Sequence, residues 1–203
     1  LPGFAVRVLK NNETIYEYSC GLANIRKHIP LSSHSTINIA SVSKQFTAYG
    51  IYLLEERGLL KTDAEIHTYL PELPDFGAPI TLRHLLGHTS GLRDYPDFIS
   101  LLNESTNHNL TYPKMVEFLK GQHELNFPPG SQFCYSNTGY MMLARIIELV
   151  SGKSYAVFMQ DEIFRPLGMT QTFVNEGIVN EQPDGTTNYL LNDKKTKASK
   201  GRA

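Results

Sequence analysis

Residues 39–50 read IASVSKQFTAYG, and the reading of this stretch decides the rest. The apolar residues Val42, Phe46, Tyr49, Leu53 and Leu54 recur at three- and four-residue steps, and Gly58 supplies a stop, so the spacing predicts an amphipathic helix. Its first turn crowds together two serines and a lysine. Residues three apart share a helix face, so Ser41 and Lys44 can approach each other. A serine hydroxyl is a poor nucleophile until a neighbour takes its proton, and a lysine of lowered pKa can do so. The positive end of a helix also favours a developing alkoxide. The plain alternative is that Lys44 decorates a surface, because Ser-x-x-Lys recurs by chance in a chain of this composition. Ser43 reads as a cap or a surface hydroxyl.

A second stretch, FCYSNTGY at 133–140, carries chemistry of another kind. In an extended segment side chains alternate, so Tyr135 and Asn137 would face the same way. A phenol held near cations can carry a proton, and an amide beside it can bind a substrate carbonyl or amide. The competing reading is a turn in which Asn137 caps the following helix. Two other motifs are set aside. His84 and His88 in HLLGH have the spacing of a zinc helix, but Leu85 occupies the glutamate position, so they read as a structural pair and not as metal ligands. GHTSG places Ser90 one residue late for a nucleophile elbow, with no strand before it, and reads as a loop.

The remaining elements follow from punctuation. GFAVRVLKNNETIYEYSC forms two β-rich runs around Asn11-Asn12, a predicted hairpin. An irregular loop is expected from there to about Ile39. Thr81 caps a short helix, Pro113 sits in the first turn of another that ends near Gly121, a helix is expected from about Thr138 to Val150, and Ser154 opens one that Pro166 closes. Beyond Gly177 the pattern decays into a basic segment, Lys194 to Arg202, read as solvated surface. Early strands and central helices give an α+β class in which the helices need a sheet to pack on. Two clear strands are too few for that sheet.

Bulk composition narrows the partners. With 41% hydrophobic residues, 19% charged and a net charge of -1 over 203 residues, the chain can bury a sizeable core but offers no large electrostatic footprint for nucleic acid. No apolar run is long enough to span a bilayer. A small molecule or peptide is the expected partner. Cys20 and Cys134 are too few for a disulfide framework. Asn12, Asn103 and Asn109 open sequons that matter only in a eukaryotic secreted setting.

Taken together, IASVSKQFTA, LRHLLGHTSGL, FCYSNTGYMMLARIIELVSGKSY and IFRPLGMTQT, in this order, resemble the serine β-lactamase and penicillin-binding-protein family, and within it the class C branch with its esterases and D-amino-acid peptidases. The resemblance runs from about Pro2 to about Phe173. It implies a β-lactamase/DD-peptidase-like fold: a hairpin and nucleophile helix in residues 1–58, a mainly helical region in 59–174 and a basic continuation in 175–203. It implies that Ser41 attacks a carbonyl and becomes acylated. Lys44 would share its proton as base or electrostatic partner, Tyr135 would be the second proton carrier, and Asn137 would bind the substrate's side-chain amide. It implies no metal and no organic cofactor, and a periplasmic or secreted location.

The family's third motif, Lys-Thr-Gly or His-x-Gly on a late strand, has no match; KKTKASKG has the letters in the wrong arrangement. The resemblance assigns that strand one backbone N–H of the oxyanion hole, a donor whose loss costs on the order of a hundred- to a thousand-fold in rate. The chain is therefore expected to be the inner portion of a longer enzyme, or one completed by a further segment of the same protein. Two functional readings stand: a serine hydrolase acting through an acyl-enzyme on a β-lactam, a D-amino-acid peptide or an ester, and a dead or acylation-only binding module.

Overall fold

A computed structural model describes residues 3–101, 111–122, 124–175, 189–190 and 199–200. The sequons at Asn103 and Asn109, and most of the basic segment, lie outside the described residues. Two compact units emerge: Ser41–Val174, and Leu1–Ala40 with Asn175–Ala203. The helix after Ser41 thus groups with the helical region, whereas the sequence placed it with the hairpin.

In the smaller unit, strands β1 (Phe4–Lys10) and β2 (Glu13–Cys20) pair antiparallel. Asn11 and Asn12 turn the chain with φ of 51° and 65°, the left-handed conformation that a two-residue hairpin loop demands and that asparagine tolerates. The register sets Val6 opposite Tyr18 and Val8 opposite Tyr16 on one face, and Arg7 opposite Glu17 on the other, where Arg7 Nε donates to Glu17 Oε2 at 2.7 Å. The expected loop contains a second small hairpin, β3 (Leu22–Asn24) with β4 (Ile29–Pro30), too short to show a two-residue period in sequence. Strands β5 (Tyr189–Leu190) and β6 (Ser199–Lys200) pair with each other. Among the described residues every sheet is two-stranded, as the shortage of strands in the sequence implied.

The larger unit is helical and owns the core. A 3-10 turn, Ala40–Ser43, leads into α1 (Lys44–Glu56), followed by α2 (Leu82–Leu86), α3 (Tyr95–Leu101), α4 (Tyr112–Lys120), α5 (Asn137–Ser151) and α6 (Tyr155–Met159), which runs on into a π turn at Gln160–Phe164. Helix α5 is the hub, touching α1, α2, α3, α4 and α6. Its buried residues Thr138, Gly139, Met142, Leu143, Ile146 and Ile147 recur at helical spacing, and each large apolar side chain so buried stabilises by roughly 1.5–3 kcal/mol. None of the described helices is long and apolar enough to cross a membrane.

Helix α1 corrects the sequence reading of its face. Val42 and Tyr49 are 60% and 50% exposed, and the buried row is Thr47, Gly50, Ile51 and Leu54. Gly50 is the reason. A Cβ there would lie 3.1 Å from Ile147 and Phe158 and 3.2 Å from Met159, so its absence lets α1 settle close against the core. A count of apolar residues gives a glycine no weight and so misplaces the stripe.

Caps fall where the sequence placed them. Thr81 Oγ1 accepts from His84 N at 3.3 Å while Thr81 N donates to His84 Nδ1 at 3.2 Å, which occupies His84 structurally. Pro113 lies in the first turn of α4, and Ser154 Oγ accepts from Val157 N at 3.3 Å. The loop after α2 closes on Gly91, whose φ is 75° and whose carbonyl accepts from Asn126 N at 2.8 Å. A Cβ at Gly91 would stand 2.1 Å from the Phe127 carbonyl oxygen.

Candidate active site

The site grows from the start of α1. Ala40 holds φ 47°, a left-handed setting unusual for alanine, and Ser41 follows it at the tip of the 3-10 turn with its hydroxyl exposed. One turn on, Lys44 Nζ lies 3.3 Å from Ser41 Oγ, at the long end of a hydrogen bond, and donates to Asn137 Oδ1 at 2.8 Å. Tyr135, 94 residues away in sequence, donates its phenolic O–H to Ser41 Oγ at 2.6 Å. The Lys44 ammonium also stands over the Tyr135 ring, 4.8 Å from its centroid, and 5.5 Å from that of Tyr140. The four side chains singled out in the sequence therefore meet in one place.

Tyr135 feels two opposed influences. Burial raises its pKa, but hydrogen bonds with Lys44 and Ser41, together with the Lys44 charge, outweigh burial and hold the phenol below its usual value of 10.0. With an ammonium beside it, the phenolate is within easier reach. Were it to form, the contact with Ser41 Oγ would reverse, and the phenolate would accept the serine's proton.

Asn137 is not the cap of α5. Ser136 is, its Oγ accepting from Gly139 N at 3.2 Å, and Asn137 is the first helical residue. Its amide is oriented by Asp94, a residue the sequence reading passed over. Asp94 Oδ2 accepts from Asn137 Nδ2 at 2.9 Å, which turns Asn137 Oδ1 toward Lys44. Asp94 Oδ1 accepts from Asn137 N at 2.6 Å, Thr138 N at 2.9 Å, Thr138 Oγ1 at 3.2 Å and Ser136 Oγ at 3.3 Å. One carboxylate thus satisfies otherwise unpaired amides at the positive end of α5 and fixes the site's amide in the same act. The only local hint is an aspartate just ahead of Tyr95 and Pro96, the pattern of a helix start.

His88, by its sequence half of a structural pair, is a neighbour of the site. Its ring lies 4.6 Å from that of Tyr135, inclined by 31°, and 5.1 Å from that of Tyr140. Its Nδ1 accepts from Ser136 N at 3.1 Å and its backbone oxygen accepts from Cys134 N at 2.9 Å. Burial, reinforced by the Lys44 charge, holds its imidazole below the ordinary 6.5, against an opposing pull from Asp94. Ser90 is buried, its Oγ accepting from Leu92 N at 3.3 Å, in keeping with a loop.

A family model described as Beta-lactamase matches residues 1–202. Penicillin-binding protein 4* of Bacillus subtilis (strain 168) is 41% identical over 173 residues, 83% of this chain and 37% of that protein. A D-aminopeptidase of Gluconobacter oxydans (strain 621H) is 31% identical over 188 residues, 93% of this chain and 35% of that protein. The octameric penicillin-binding protein homologue from Pyrococcus abyssi superposes with a TM-score of 0.84 at 29% identity, covering 98% of this chain and 46% of that one. The D-amino acid amidase from Ochrobactrum anthropi SV3, complexed with L-phenylalanine, gives 0.78 at 29% identity, over 94% of this chain and 52% of that one. The chain spans little more than a third of the length of these two sequence relatives. With a family model matched almost from end to end and the same α+β fold in both superposed structures, the chain belongs to the beta-lactamase family.

Proposed function

We propose that the protein is a serine hydrolase that works through a covalent acyl-enzyme, with Ser41 as nucleophile, Tyr135 as its base and Lys44 as the cation that makes Tyr135 effective. The observation that carries this reading is the 2.6 Å contact between the Tyr135 phenol and Ser41 Oγ beside the Lys44 ammonium. In the first step the Ser41 proton passes to the Tyr135 phenolate as Oγ bonds to the substrate carbonyl carbon. In the second, the carbon–leaving-group bond breaks and Tyr135 returns that proton to the leaving nitrogen or oxygen. A water then hydrolyses the resulting ester, its proton taken by Tyr135 and returned to Ser41 Oγ. Asn137, with an N–H to spare beyond its bond to Asp94, faces the substrate amide. The substrate class is a D-amino-acid peptide or amide, a β-lactam or an ester. Relatives named for D-amino-acid substrates support the first. Penicillin-binding relatives support a location outside the cytoplasmic membrane.

The test is intact-mass spectrometry after incubation with a penicillin and, separately, with an activated ester. An adduct on Ser41 that vanishes in Ser41→Ala is expected. A stable adduct without turnover would make the chain acylation-only, and no adduct in a chain shown to be folded by circular dichroism would remove the reading. Tyr135→Phe should slow acylation by roughly a hundred- to ten-thousand-fold while leaving binding intact, and Lys44→Ala should also slow it severely. Because the base form of Tyr135 is deprotonated, acylation should rise with pH toward a phenol pKa below 10.0. A flat profile would take Tyr135 out of the proton path.

A further inference from the structure

Tyr135 is exposed at the lip of the site, 42% accessible, yet it must hold a hydrogen bond to Ser41 steadily enough to act on it. Its own contacts with Ser41 and Lys44 hold the ring from one side. A single residue behind it holds it from the other. The two amides flanking Tyr135 both donate to His88: Cys134 N to its backbone oxygen at 2.9 Å and Ser136 N to its Nδ1 at 3.1 Å. Between those two bonds the Tyr135 ring lies against the imidazole, with centroids 4.6 Å apart. His88 is itself fixed in the left-handed region, φ 57°, at the end of α2, where histidine and asparagine are among the few side chains that rest comfortably.

We propose that His88 is a positioning residue for Tyr135, and that it supports the phenol on Ser41 only while its imidazole is neutral. This rests on the reading of Tyr135 as the base. The chemistry of the contact dictates the charge state. Nδ1 accepts from a backbone N–H, so the neutral ring carries its proton on Nε2. Adding a proton at Nδ1 would set an N–H against an N–H, break the bond to Ser136 and leave a cation among the site's own charges. The groups facing it are Lys44, which repels a second positive charge, Asp94, which attracts it, and the phenols of Tyr135 and Tyr140. The Phe133 ring meets the imidazole at a steep angle, with centroids 5.8 Å apart. Burial and Lys44 together outweigh Asp94, so the neutral form persists below the ordinary pKa. Once that margin is crossed, the support is lost while Ser41 and Lys44 remain in place.

One proton on Tyr135 already makes the acylation rate fall tenfold per pH unit on the acid side. A second proton on His88 adds a further factor of about ten for each unit below the His88 pKa, which lies under 6.5. The experiment follows acylation of this chain by a chromogenic penicillin or an activated ester from about pH 5 to 8, in wild type and in His88→Asn. Asparagine tolerates the left-handed backbone and offers Oδ1 where Nδ1 stood, but has no ring and cannot titrate. The wild type should show the steeper, two-proton fall at low pH, and His88→Asn a one-proton fall throughout. Identical profiles down to a pH at which nitrogen-15 NMR shows the His88 imidazole protonated overturn the inference. Nitrogen-15 NMR of the wild-type imidazole supplies a readout independent of activity. A neutral Nε2–H ring, with Tyr135 ring resonances that follow its titration, supports the positioning role even if no acylation is seen and the enzymatic reading fails. A ring protonated on Nδ1, or Tyr135 resonances indifferent to its titration, overturns it.

Discussion

The helical unit and the hairpin unit solve the same problem to different degrees. In the helical unit, α5 is surrounded by other helices and its inward residues reach complete burial. In the hairpin, Phe4, Val6, Val8, Tyr16 and Tyr18 share one face and all stay exposed, braced within the hairpin by contacts such as that of the Phe4 and Tyr18 rings at 5.8 Å. The opposite, polar face is finished, since Arg7 and Glu17 meet across the strands. The lesson is that patterning and burial are separate properties. Two-residue alternation says which face of a strand is meant to be covered, and says nothing of whether the cover is supplied by the same stretch of chain.

That contrast can be broken in order of expected effect. Leu143, fully buried in α5, should cost about 2–5 kcal/mol of unfolding free energy on replacement by alanine, read by denaturant titration. A loss near zero would mean the helical core is not as closed as its packing implies. Gly91→Ala combines a left-handed φ with a collision against the Phe127 carbonyl, and should cost at least about 2 kcal/mol. In the turn before Ser41, Ala40→Gly should do the reverse and stabilise by about 0.5 kcal/mol, because relief of a left-handed alanine exceeds the entropy glycine adds to the unfolded chain. A destabilised variant would show that the turn before Ser41 is not strained. Smallest of all, Leu9→Ala in the hairpin, where the side chain is 60% exposed, should move stability by no more than about 0.5 kcal/mol. A loss as large as that of Leu143→Ala would show that something covers the hairpin after all.

Legibility in the sequence followed the range of the interaction. Local chemistry could be read: the left-handed turn at Asn11 and Asn12, the caps Thr81 and Ser154, and Pro113 in a first turn each depend on a few adjacent residues. Ser41 and Lys44 could be placed together because helix geometry alone puts them within reach. Tyr135 joins them only through a contact spanning 94 residues, and it was the family resemblance, not spacing, that suggested the meeting. Asp94 and His88 had no such help. Each acts through backbone amides of another segment, at 137 and 138 for Asp94 and at 134 and 136 for His88, and an amide leaves no trace in a sequence. The face of α1 was misplaced for a related reason: its closest approach to the core is made by Gly50, which contributes by what it lacks.

The carboxylate of Asp94 has a consequence for anyone wishing to redesign this site. Because one side chain both anchors the first turn of α5 and aims Asn137 at Lys44, the amide corner cannot be repurposed without loosening a helix that five others lean on. The exposed flank at Phe133 is under no such constraint. Directed libraries that seek new substrates should therefore hold Tyr135 and residues 94 and 136–138 constant and place their diversity at Phe133.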